Sequence, residues 1–131
     1  MKLTKLMLAG ILSVSIASAN DVMKKSMAMM EQGMTSIQTG FMHNNEALIR
    51  EGLKLVKDGN AMFADKKVIA SYLPEKKKHM ANVAENQAKR IVLDTNVLEI
   101  NLDQKSYVDA ANAYSDILNA CSRCHAIVRE W

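Results

Sequence analysis

Apolar residues recur along this 131-residue chain at helical steps, and no stretch alternates as a strand would. Met23, Met27, Met30, Met34, Ile37 and Phe41 step by four, three, four, three and four. A first helix over about Asp21–Met42 would gather them into one seam. His43-Asn44-Asn45 breaks the pattern, and Asn45 suits the N-cap of a second helix. That helix carries Leu48, Ile49, Leu53 and Val56 on its inner face, and Gly59 and Asn60 weaken its end. Ala64–Leu73 reads as the longest loop. Pro74, the one proline, suits the first turn of a third helix, where its missing N–H costs nothing. This helix runs to about Asn101 and buries Met80, Val83, Ala84, Ala88, Ile91 and Leu98. Past a boundary at Asp103, a fourth helix carries Tyr107, Ala111, Tyr114 and Leu118 toward the chain end. Four helices with short connections make antiparallel neighbours, so the expected fold is all-α, an up-down-up-down antiparallel four-helix bundle.

The N-terminus has a different character. Lys2 and Lys5 precede an apolar run over Leu6–Ile16, and Ala17-Ser18-Ala19 supplies the small-x-small pattern of a signal-peptidase site. The run is short for a bilayer span and no stop-transfer pattern follows. The expectation is a signal peptide over 1–19, cleaved after Ala19, and a single domain over Asn20–Trp131 in a periplasm, without a stable membrane anchor. The chain holds 17 Lys+Arg against 14 Asp+Glu; without Lys2 and Lys5 the balance is 15 to 14. Such a surface gives no general affinity for nucleic acid.

Six aromatic residues are few for a self-sufficient core, whereas methionine occurs ten times. A bound cofactor is one way to complete a small core. Cys121 and Cys124, the only cysteines, are too close in sequence to close a long disulfide loop.

Cys121-Ser122-Arg123-Cys124-His125 is C-x-x-C-H, the c-type haem attachment sequence. Two thiols on one helical turn can each add to a vinyl group along a haem edge, and the adjoining histidine then reaches the iron. Export agrees with attachment outside the cytoplasm. A redox disulfide usually sits at a helix start after a strand, and no strand is expected here. A zinc site lacks a second cysteine pair, leaving His43 and His79 as the other nitrogen donors. A methionine-rich copper(I) site ignores the motif. His43 and His79 receive no role. No nucleophile–base pair, paired-carboxylate site or phosphate loop is present, so an enzyme is not expected.

The motif lies six residues from the end of the chain, and Arg129 stands four after His125. C-x-x-C-H-x-x-x-R on the last helix of an exported four-helix chain resembles the cytochrome c prime family. In architecture the resemblance spans Asp21–Trp131; in specific residues it rests on Cys121, Cys124, His125, Arg129 and the first-helix seam. It implies one covalent haem c per chain, held through Cys121 and Cys124 with His125 as proximal iron ligand, and Arg129 near His125 or a propionate. Five-coordinate members bind nitric oxide or carbon monoxide. Low-spin members present a first-helix methionine to the iron and resemble electron carriers. Matching the seam to the family pattern places Met27 at the distal position. The family is often dimeric through its first two helices, which would make a homodimer of this chain.

Helix geometry adds a separate constraint. At about 1.5 Å per residue, His125 lies roughly 33 Å above the Asp103 turn, Met23 and Met27 roughly 30 and 24 Å above the His43 turn, and Met34 about 14 Å. Met34 is thereby excluded, while Met23, Met27 and Met30 all remain. The same topology puts Lys66-Lys67 and Lys76-Lys77-Lys78 at the haem end, as solvated charges or a docking rim for an acidic redox partner. The functional expectation is a periplasmic monohaem electron-transfer protein that works with periplasmic redox proteins, with a gas-binding haem protein as the alternative.

Overall fold

A computed structural model describes residues 19–129, with side chains over 21–128. Among these every regular element is helical: α1 (Ala19–Met42), α2 (Glu46–Ala61), α3 (Lys66–Tyr72), a 3-10 segment (Glu75–Met80), α4 (Ala81–Asp103) and α5 (Tyr107–Arg129). Residues 1–18 of the expected leader lie outside the described residues. No described helix is long and apolar enough to cross a membrane.

The first connection forms as the polar residues suggest. Asn44 takes a left-handed conformation, φ 51°, which asparagine tolerates. The Asn45 side chain then accepts from the Leu48 N–H at 3.1 Å and caps α2. α1 and α2 lie unusually close. A Cβ on Gly33 would stand 2.6 Å from the Gly52 carbonyl oxygen, and one on Gly59 would stand 2.9 Å from that of Ser26. Gly59 is therefore a packing position and not merely the weak end of a helix.

The expected loop over Ala64–Leu73 is mostly α3. The Asp65 carboxylate caps it, accepting from Lys67 N–H at 2.8 Å and Val68 N–H at 3.2 Å. Ile69 and Leu73 are buried beneath it. Pro74 does not open the third long helix. It precedes the 3-10 segment, and α4 begins at Ala81. Three lysines in succession suit an α-helix N-terminus poorly. Lys77 instead donates to the Ile127 carbonyl on α5.

α4 buries Ala81, Ala84, Ala88, Ile91, Leu98 and Leu102. Val83, expected inside, is 43% exposed because it lies off that line. Met80 is only half-buried, ahead of α4. The core has two parts. Ile37, Ile49, Leu53, Val56, Leu98 and Ile117 belong to one; Met30, Phe63, Ile69, Leu73, Ala84 and Ile127 belong to the other. Arg50–Asp103 and Lys57–Glu99 ion pairs join α2 to α4, and Arg90 on α4 reaches Asp116 on α5. α1 and α5 touch only sparsely. The space between them is the site.

Candidate functional site

On α5, Cys121, Cys124 and His125 fall at i, i+3 and i+4, which places them on one helical face. Cys121 packs against the first core cluster and Cys124 against the second, so the motif spans the junction between them. All three residues line a largely apolar cleft of about 290 Å³ between α1 and α5, floored by Ala88 and Ile91 of α4. A second cleft of about 240 Å³ shares Met27, Phe63, Cys124 and His125 with the first. These four residues form the wall between two adjoining hollows.

The methionines of the α1 seam divide between the hollows. Met27 lines both; Met30 and Met34 line only the larger, and Met23 only the smaller. Met30 is 6% exposed and belongs to the core, whereas Met27 is half-buried. Met34 packs with the cluster around Ile37, on the Cys121 side. One lip of the larger cleft is polar, formed by Glu31, Thr35 and Gln38 of α1. Leu118 on the opposite lip is 49% exposed.

Burial pushes the Cys121 thiol up to about 11, with Cys124 adding to the effect. Burial also raises Cys124. Tyr114, which lines the larger cleft, is raised by burial and then by Cys121. Neutral, apolar-packed thiols differ from the lowered-pKa thiols of a redox-active C-x-x-C pair. The donor set fits a c-type haem: two thiols one helical turn apart, an imidazole beside the second, and apolar walls.

His43 and His79 are exposed and line neither hollow. Among the described residues no three His, Cys, Asp or Glu side chains converge as a metal site would require. Arg129 ends α5, and its side chain lies outside the described residues. The lysine runs are at the motif's end of the molecule, but Lys77 is engaged with Ile127 and Lys78 with Glu75.

Sequence reasoning missed Phe63, 4% exposed and lining both hollows, because it falls between the weak helix end at Gly59 and Asn60 and the loop expected from Ala64. It also missed Asn60, which is 1% exposed and donates from Nδ2 to the Ala88 carbonyl at 3.0 Å. Ala88 floors the larger cleft, so this bond braces α4 beneath it. No protein-family model, curated protein or solved structure matches the chain.

Proposed function

We propose that this chain is a periplasmic monohaem c-type cytochrome that carries electrons, with a cytochrome c prime-like architecture. In this reading α1, α2, α4 and α5 are the four members of an up-down-up-down bundle, and α3 is an elaboration of the connection between its second and third members. Cys121 and Cys124 would hold the haem through thioether bonds, His125 would supply an imidazole nitrogen to the iron, and Met27 would supply a thioether sulfur. When bound, the haem supplies reversible one-electron exchange between ferric and ferrous iron.

One observation carries the proposal: Met27 and the C-x-x-C-H residues Cys124 and His125 wall the same pair of adjoining apolar hollows. The chain's own contribution is rigidity. The close α1–α2 packing fixes the helix that bears Met27, and α5 fixes the three residues opposite. A thioether on the distal side favours the ferrous state and raises the potential relative to a second nitrogen ligand. With His125 and Met27 both committed to holding the group, no position would be left for a reacting substrate, and the chain would act as a carrier and not as a catalyst.

The test uses protein from a host that matures c-type cytochromes. Its intact mass should exceed that of the mature peptide by one haem, and acid–acetone should fail to release it. An unmodified mass rejects the reading. With haem attached, a low-spin spectrum in both oxidation states is expected. A high-spin spectrum with ready uptake of carbon monoxide would instead favour the five-coordinate, gas-binding alternative.

A further inference from the structure

We propose that the solvent face of α4 is an interface between two copies of this chain, paired antiparallel about Asn96. Lys89, Leu93, Asn96, Ile100 and Asp103 step by four, three, four and three, the spacing of a helix-pairing seam. All five are exposed, on the side of α4 away from its core line through Ala84, Ala88, Ile91 and Leu98. Leu93 is 58% exposed, Ile100 53% and the neighbouring Val97 47%. Among the described residues α1 and α2 expose a single large apolar side chain, Met42. α5 exposes Tyr107, Val108 and Leu118, and α4 exposes the larger set, Val83, Val92, Leu93, Val97 and Ile100.

The charges on the seam identify the occupant. Lys89 and Asp103 stand at equal intervals either side of Asn96, and each side chain is 64% exposed. Antiparallel pairing sets Lys89 opposite the partner's Asp103 twice over, with Leu93 beside the partner's Ile100. Asn96 then meets its own counterpart, where a polar residue fixes register and orientation in paired helices. A partner of uniform charge finds no match in a seam bearing one charge of each sign. Lys89 already pairs with Glu85 at 2.9 Å and Asp103 with Arg50 at 2.8 Å, so the contacts between copies extend existing pairs into a network.

Sedimentation equilibrium of the mature protein tests this. The wild type should run at twice the chain mass, and Leu93→Glu with Ile100→Glu should halve it while the helical circular dichroism stays unchanged. Asn96→Lys should also halve the mass by setting like charges at the axis, and serves if the first variant fails to fold. Lys89→Asp should weaken the dimer, and Lys89→Asp with Asp103→Lys should restore it. A monomeric wild type overturns the inference, whatever other protein covers the face. So does a dimer that survives either seam variant. None of these outcomes depends on haem.

Discussion

The Ser26 hydroxyl donates to the Gly59 carbonyl oxygen at 2.7 Å, joining α1 to α2 across 33 positions of sequence in a fully buried contact. Ser26 and Gly33 are seven residues apart on α1, as Gly52 and Gly59 are on α2, so small residues meet at heptad intervals. This contact sets the rotation of α1 one residue before Met27. A Cβ on Gly52 would stand 2.5 Å from the Gly33 carbonyl oxygen, against backbone that cannot step aside. Gly52→Ala should therefore lower stability by about 1–3 kcal/mol. Ser26→Ala should cost about 1 kcal/mol. Urea denaturation followed by circular dichroism measures both, and a Gly52→Ala midpoint equal to wild type would contradict the close packing.

Met27 and Met30 should separate into ligand and core. Met27→Ala in the haem-loaded protein should convert a low-spin spectrum to high-spin and make carbon monoxide binding rapid, with a modest effect on stability. Met30→Ala, at a site only 6% exposed, should leave the spectrum intact and cost about 2–5 kcal/mol. Met23→Ala should alter packing and leave the ligand in place. If Met27→Ala remains low-spin, the ligand lies elsewhere on α1.

Acid should loosen the end of the molecule opposite the motif. Glu46 accepts from Lys105, Arg50 and Tyr107, and these hydrogen bonds lower its carboxyl from 4.5 to about 2. Folding therefore favours the ionised form. The contribution is present above pH 4.5 and fades as the pH falls through about 2. Glu46→Gln should be less stable than wild type at neutral pH, with the gap closing as the pH approaches 2. A gap that is constant with pH would show that the carboxylate's charge is immaterial. Thermal melts across the acid range give the answer.

Lys77 ties the 3-10 segment to the last turns of α5 through the Ile127 carbonyl. A cation at a helix C-terminus also opposes the negative end of its dipole. Lys77→Ala should speed amide hydrogen exchange near the end of α5 and leave the α1–α2 amides unchanged. Uniform exchange across the chain would argue against a local tie.

The thiols offer a check on burial before haem attachment. In a host that does not attach haem, Cys121 and Cys124 should react with iodoacetamide at pH 8 more slowly in the folded chain than in urea. The raised Cys121 thiol favours the folded state while both states are protonated, and that advantage is lost as the pH rises from 9 through about 11. Equal alkylation rates with and without urea would place the thiols in water.

The sequence alone determined what local rules determine. Helical periodicity identified the all-α class and the α1 seam; Asn45 marked a cap; Cys121, Cys124 and His125 share a helical face because i, i+3 and i+4 must. Rise per residue singled out Met23, Met27 and Met30 and set Met34 aside, yet Met34 lines the same cleft as His125, and which of these side chains faces the motif depends on the rotation of α1 about its axis. That rotation comes from the Ser26–Gly59 and Gly33–Gly52 contacts, made by residues far apart in sequence whose meeting no local pattern encodes. Folding also decided the fate of Ala64–Leu73: seven residues there form α3 because Asp65 caps them and Ile69 and Leu73 find a core to enter. Val83, which a periodic reading places inside, and Leu118 both belong to apolar series along their helices. Only the packing of α4 beside α5, and the gap between α1 and α5, decides that one faces solvent and the other edges the cleft.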